Sequence, residues 1–247
     1  MVRRDELIAY CHEFLQVDCF HDYCPNGLQV EGNEHITHLL SAVTASQAAI
    51  NECILRKADL LLVHHGYFWK NETPVLKGMK QRRIKALLGH DINLAAYHLP
   101  LDAHRQLGNN VLLAKQLGIR PKHFFAANDL VLLGQVKSHS GAEFKRHIYQ
   151  ALGREPLHIG VERPINQVAL CTGAAQAYLE DAIAQGADAF ISGEISENTY
   201  HVAIENNVHY FAAGHHATER YGVQALGEHL AEKFDLLHEF FDEPNPV

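Results

Sequence analysis

With 247 residues, 47% of them hydrophobic and 20% charged, the chain can bury a core without staples, and its apolar runs are far too short to span a bilayer. A formal charge of −8 works against tight non-specific binding to nucleic acid, whose affinity comes largely from phosphate neutralisation. Five irregularly spaced cysteines without a C-x-x-C pair argue against a disulfide framework and a thiolate zinc site; the charged start Met1-Val2-Arg3-Arg4 has no apolar signal core behind it, so a cytoplasmic location is expected.

In chain order, Pro25-Asn26-Gly27 is first of all a turn signal, with Asn26 and Gly27 as candidates for a substrate loop. Ile36 to His65 then reads as a β-α-β unit: an apolar run, a small-residue turn, an amphipathic helix over Ser46 to Arg56, Ala58-Asp59, and a second apolar run from Leu60 to Val63. It ends in His64-His65-Gly66. Neighbouring side chains on a regular strand point to opposite faces, so for both imidazoles to face one cavity the chain must leave β geometry, which Gly66 makes easy. A helix over about Lys77 to Gly89 follows, its Lys77, Lys80, Arg82, Arg83 and Lys85 reading as a solvated face. A strand over Ile92 to Tyr97 leads into His98-Leu-Pro-Leu-Asp102.

From about Pro121 to Pro164 the chain is a connector with structure added to the second half: a strand over Leu130 to Val136 and a helix capped by Ser140 and running to Leu152. Ile165 to Glu194 then lies over Ile36 to His65 without a gap, with identities at Ile36/Ile165, Ala45/Ala174, Gln47/Gln176, Ala48/Ala177, Ile54/Ile183, Ala58/Ala187 and Asp59/Asp188. The helix of this second copy covers Gln176 to Gln185. A helix over about Glu197 to Asn206, a strand over Val208 to Ala213 and the segment His215-His-Ala-Thr-Glu219 complete the parallel with the first half. Strands alternating with helices imply mostly parallel sheets with right-handed crossovers. An α/β protein of two related halves, residues 1–125 and 126–247, is therefore expected.

Ligands bind outside the carboxyl ends of strands in open parallel sheets, and here those ends carry His64-His65, His98, Glu194 and His215. Of the 19 histidines, His12, His35, His38, His123, His139 and His147 stand alone in polar stretches and are expected on the surface. The strand-end histidines with Asp102 and Glu219 make six candidate ligands. A mononuclear catalytic zinc uses three protein ligands, whereas two ions sharing a carboxylate at roughly 3.5 to 4 Å would use the whole set. In His215 to Glu219, residues i and i+4 of a helix share a face; the same holds for His98 and Asp102 if that turn is helical. Nitrogen and oxygen donors without thiolate fit two divalent ions of Zn, Mn, Fe or Ni. Glu194 is a candidate base, or a partner that orients a histidine. Asn109 and Asn110 are candidates for bonding to a ligand or for helix capping. Tyr67, Phe68 and Trp69 either stack a substrate ring or belong to the core or a subunit contact.

The strings Asp22-Tyr-Cys-Pro-Asn-Gly-Leu-Gln-Val30, Val63-His-His-Gly-Tyr-Phe-Trp69, His98-Leu-Pro-Leu-Asp102 with Gly108-Asn-Asn110, Ile191-Ser-Gly-Glu194 and Ala213-Gly-His-His-Ala-Thr-Glu-Arg220 together resemble the YbgI-type dinuclear metal-centre proteins, often labelled GTP cyclohydrolase type-two homologues. The resemblance runs from about Leu7 to Pro246 and is to the short members, which lack a domain inserted between the halves. It implies two intertwined α/β/α domains from an internal duplication and a toroidal homohexamer with metal sites facing its interior. It also implies one ion on His65, Asp102 and Glu219, a second on His64, His215 and the bridging Glu219, and His98 beside the pair as ligand or proton carrier.

The expected function is a dinuclear metal-dependent hydrolase acting on a small molecule, a nucleotide or related cyclic amide, through a metal-bridging hydroxide, with His98 or Glu194 moving a proton. Neither a G-x-G-x-x-G nor a Walker loop is present to cradle phosphates. A metal-stabilised scaffold or binding ring without turnover and a di-iron redox protein are the alternatives.

Overall fold

In the computed structural model, which describes residues 1–247, the alternating apolar runs and amphipathic segments become alternating strands and helices. The elements are β1 (Val2–Arg3), α1 (Arg4–Phe14), β2 (Gly27–Val30), β3 (His35–Ile36), β4 (His38–Thr44), α2 (Gln47–Arg56), β5 (Leu60–His65), α3 (Gly78–Gly89), β6 (Asn93–Ala96), α4 (Leu99–Ala103) and α5 (Asn109–Gln116). They continue as β7 (Arg120–Phe125), β8 (Val131–His139), α6 (Gly141–Leu152), β9 (Leu157–Ile159), β10 (Ile165–Leu170), α7 (Leu179–Ala184), β11 (Ala189–Ser192), α8 (Glu197–Glu205), β12 (His209–Ala212), α9 (His215–Phe234) and β13 (Leu237–Phe241). No helix is long and apolar enough to cross a membrane.

The chain divides into two compact units, residues 1–101 with 222–244 and residues 102–221 with 245–247. The first holds a sheet of order β13-β4-β5-β6-β2, parallel except for β2. Its central strands are apolar on both sides because helices cover both. Leu61 and Val63 pack with Ile50 and Cys53 of α2 and Leu87 of α3; Leu60 and Leu62 pack with Leu7 of α1 and Val223, Leu226 and Leu230 of α9. The second unit holds a sheet of order β7-β8-β10-β11-β12-β9, whose middle strands β10, β11 and β12 are parallel and whose flanking strands are antiparallel. Ser140 starts α6 through a reciprocal capping box with Glu143. Phe144, Ile148 and Leu152, each one turn on, give α6 the apolar stripe that packs with Leu170 and Phe211.

The aligned stretches have matching registers. Leu39 and Leu40 pair with Leu60 and Leu61; the aligned Val168 and Ala169 pair with Ala189 and Phe190. The aligned aspartates make the same bonds. Asp59 Oδ2 accepts from the backbone N–H of Thr37 at 2.8 Å and of His38 at 3.0 Å, and Asp188 Oδ2 accepts from those of Asn166 and Gln167, both at 2.9 Å. Each carboxylate thus ties the start of one parallel strand to the start of the next.

Several expectations need correction. The unit boundary falls between Leu101 and Asp102, and residues 222–244 return to the first unit, so the units are not the halves 1–125 and 126–247. The presumed connector from Pro121 contains strands β7 and β9; Pro121 is accommodated because β7 is an edge strand. The helix expected over Gln176 to Gln185 is a 3₁₀ turn, Gln176–Tyr178, followed by α7. His38 is not a surface residue: β13 pairs beside β4 and leaves it 8% exposed, its Nε2 3.1 Å from Glu239. His12, His139 and His147 are half-buried, while His35 and His123 are exposed.

Asp188 is 7% exposed, and removing its carboxylate leaves two backbone donors and Arg163, 2.5 Å away, without their acceptor. Asp188→Ala is expected to destabilise the protein by about 2–4 kcal/mol, more than Asp59→Ala. Urea denaturation of the two variants checks this, and equal small losses would contradict it.

Candidate metal centre

In the first unit, β5 stays in the ladder through His65, which pairs with Thr44. The expected departure from β geometry at the two histidines does not occur. At the end of the strand the rings of buried His64 and half-buried His65 nevertheless approach to 4.6 Å between centroids, tilted by 50°. His64 Nδ1 lies 2.9 Å from the carbonyl oxygen of Tyr97, so Nδ1 carries a proton and the ring is fixed by that bond. Thr44 Oγ1 lies 3.3 Å from His65 Nδ1. Ligand atoms of His64, His65 and His98 all lie within 4.8 Å of one another.

His98 is held by the loop that carries Asn26, through an aspartate, Asp22, to which the sequence had assigned no role. Its Nδ1 lies 2.7 Å from Asp22 Oδ1, and its backbone N–H donates to Asn26 Oδ1 at 2.7 Å. Asp22 Oδ2 accepts from Leu99 N–H and Asn26 Nδ2, both at 2.9 Å. Burial alone would raise the Asp22 carboxyl, but the bonds and charge of His98, with Asn26 and Leu99, outweigh it and hold it at about 2. The signal in the sequence was slight: an aspartate four residues before the asparagine of a Pro-Asn-Gly turn. Asn26 therefore serves the position of His98. Tyr67 is a core residue whose hydroxyl donates to the Ala45 carbonyl at 2.6 Å.

In the second unit, Asp102 is 6% and Glu219 2% exposed, and a ligand atom of each lies within 4.8 Å of the other. Asp102 Oδ1 accepts from Asn109 Nδ2 at 2.8 Å and from the Thr172 hydroxyl at 3.2 Å. Asn110 donates to the Asp102 and Leu130 carbonyls at 3.2 and 2.8 Å and accepts from Thr172 N–H at 2.9 Å. Gly108, not an asparagine, is the N-cap of α5, so the first-turn amides of Asn109 and Asn110 are spent on orienting Asp102. Thr172 was not foreseen. Burial, then the charges of Asp102 and Glu219, push the Cys171 thiol well above its ordinary value, which keeps it a neutral packing group.

His215 opens α9 and Glu219 lies one turn on, so the i,i+4 geometry holds: Nε2 is 3.0 Å from Glu219 Oε2. His98 instead precedes α4, and the His-x-x-x-carboxylate likeness of the two segments does not extend to their geometry. His215 Nδ1 is 2.6 Å from Glu194 Oε1, which makes Glu194 the carboxylate that fixes this ring. Gly173 has φ +67°, and a Cβ there would stand 2.1 Å from Glu219 Oε1.

These residues fit a metal. Imidazoles with one nitrogen committed to a carbonyl or carboxylate, and a buried carboxylate, Asp102, held by side-chain amide and hydroxyl donors, form the usual outer support of nitrogen and oxygen ligands. His215 shows the same preference for a cation: burial lowers its pKa, yet Glu219 and Glu194 together push it up to about 9.

A folded-state pKa raised above the unfolded value stabilises below the unfolded pKa, and the gain is lost as pH rises through the folded one. The metal-stripped protein is therefore expected to lose melting temperature between pH 6.5 and about 9, with a smaller loss in Glu194→Gln; a flat profile would refute the assignment. Gly173→Ala, strained in φ and colliding with Glu219, is expected to cost about 2–4 kcal/mol and to weaken divalent metal uptake, read by thermal melts and elemental analysis.

Compared with known proteins, residues 2–246 match the family model for Duf34/NIF3 (NGG1p interacting factor 3). A Pseudomonas aeruginosa protein named GTP cyclohydrolase 1 type 2 homolog is 52% identical over 245 residues, 98% of this chain and 97% of that one. A protein of the same name from Neisseria meningitidis serogroup A is 51% identical over 249 residues, with 100% of both chains covered. Among solved structures, protein ybgI, described as of unknown function, matches with a TM-score of 0.97 at 47% identity over 100% of both chains. TTHA1606 from Thermus thermophilus matches with a TM-score of 0.91 at 33% identity, again over 100% of both. With this likeness running along its whole length, the chain belongs to the Duf34/NIF3 family.

Proposed function

We propose that the protein is a dinuclear metal-dependent hydrolase of a nucleotide or related cyclic amide. Two divalent ions would be held by His64, His65, Asp102, His215 and Glu219, with Glu219 serving both. The observation that carries this reading is the donor chemistry: three imidazoles and two carboxylates, three of the five in well-buried positions, with His64, His65, Asp102 and His215 each oriented by a carbonyl, hydroxyl, amide or carboxylate partner. The relatives' name, GTP cyclohydrolase 1 type 2 homolog, supports a guanine-type ring as the substrate. Assembly into a toroidal homohexamer and a cytoplasmic location belong to the same reading.

Bound divalent ions supply Lewis acidity that makes water a nucleophile at neutral pH. The chain's own contribution is to orient and to move a proton. With Nδ1 turned to Asp22, His98 presents Nε2, and in this reading that atom receives a proton and returns it to the leaving group. Asp22 fixes the tautomer, as a carboxylate behind a histidine does in other hydrolytic sites. Glu194 keeps the His215 ring in place.

Elemental analysis of untagged protein is expected to find two divalent ions per chain and Glu219→Ala to lose both. With the metal so identified, a screen of nucleotides, phosphoesters and cyclic amides is expected to find turnover that Asp22→Asn lowers about 10–100-fold at unchanged metal content. Full metal content without turnover would favour the scaffold reading, and visible absorbance with oxygen reactivity in an iron form the redox one.

A further inference from the structure

The segment that follows His64-His65 is built at a conformational cost that its packing does not explain. Phe68 has φ +65°, the left-handed region that bulky side chains avoid. Strain of this kind persists only where the surroundings enforce it, and it concentrates at functional sites. Here the enforcement is visible. Glu72 Oε2 accepts from the backbone N–H of Phe68 at 2.8 Å and of Trp69 at 3.2 Å. Lys80 holds the same oxygen at 3.1 Å and stands over the Phe68 ring at 4.8 Å. Lys70 N–H donates to the Tyr23 carbonyl at 2.7 Å, which ties the loop to the segment that carries Asp22.

The product of these restraints is one aromatic ring in a fixed place. The Trp69 indole N–H donates to the Gly66 carbonyl at 3.2 Å. Its ring stands edge-to-face with His98 at 5.1 Å and lies 6.0 Å from His65. Tyr67 is buried in the core and Phe68 is turned outward, so Trp69 alone of the three aromatics reaches the histidine cluster, and it stays half-buried rather than sealed. Its indole has no atom suited to hold a metal ion, so its place beside His98 is of use to a bound molecule.

We propose that Trp69 is a specificity-determining residue: its indole is the wall on which a planar heteroaromatic ring stacks, setting that ring beside Nε2 of His98. The inference rests on the hydrolase reading of this site and adds to it the residue that selects a flat ring over an aliphatic one. Stacking of a base on an aromatic side chain tolerates any planar ring, so discrimination lies between ring and no ring.

Trp69 is the sole tryptophan of the chain, so its emission reports on this place alone. The test uses metal-loaded full-length protein, with metal content measured first. GTP serves as the ring-bearing probe and inorganic triphosphate as the ring-free one, with affinities taken from equilibrium dialysis. Expected are a change in Trp69 emission on GTP binding and a Kd for GTP about tenfold weaker in Trp69→Leu. Trp69→Phe should stay within about threefold of the parent protein, and triphosphate binding should be the same in all three. In Glu72→Ala, released from its clamp, Trp69 emission anisotropy should fall.

Unchanged GTP affinity in Trp69→Leu at full metal content overturns this inference and leaves the hydrolase reading standing. A parent protein that binds GTP no better than triphosphate overturns it equally. Failure of the protein to take up metal would end the reading of the site, and this inference with it.

Discussion

Two carboxylates kept out of water, Asp102 and Glu219, are the constraint around which the second unit is organised. An ionised carboxylate in an apolar interior is costly unless paired and hydrogen-bonded, and the surroundings meet that demand piece by piece. Asn109 and Thr172 give hydrogen bonds to Asp102, His215 Nε2 stands 3.0 Å from Glu219 Oε2, and Gly173 leaves the space that the Glu219 carboxylate fills. Polar groups at this density in a core are tolerated where oppositely polar neighbours meet them. The same density would be a liability in a protein with nothing to bind there.

The first unit solves the complementary problem, that of presenting imidazoles whose rings are already held by a partner. Here the supports are a backbone carbonyl for His64, a hydroxyl for His65 and a carboxylate for His98. Backbone and hydroxyl partners add no net charge, whereas the Asp22 carboxylate behind His98 does. His98 is thereby set apart from its two neighbours by the nature of its support.

How far the sequence disclosed all this depended on the kind of contact involved. Parallel strands buried on both faces leave continuous apolar runs, and the β-α-β pattern, the Ser140 cap and the strand-end histidines could be read directly. Edge strands leave weaker marks: β7, with Pro121 and His123 in it, and the three-residue β9 have no alternation long enough to recognise. His38 was misplaced because its cover, β13, comes from the far end of the chain. Asp22 and Thr172 act on His98 and Asp102 across long separations in sequence, and a hydrogen bond of that kind has no periodicity. Resemblance to a family supplied the division of ligands between two ions, which residue chemistry alone had left open.

The aspartate clamps at Asp59 and Asp188 carry a consequence for how such a protein can change. Each grips the amino end of its strand, while the reactive groups hang from the carboxyl end, with β11 only four residues long between the two. Foldability and chemistry are thereby uncoupled over the length of one short strand. At the far ends the aligned residues differ, His64 and His65 in one stretch against Gly193 and Glu194 in the other, while the clamping aspartates are the same. A lineage can therefore exchange donors at the working end without renegotiating the frame, and a designer could do likewise.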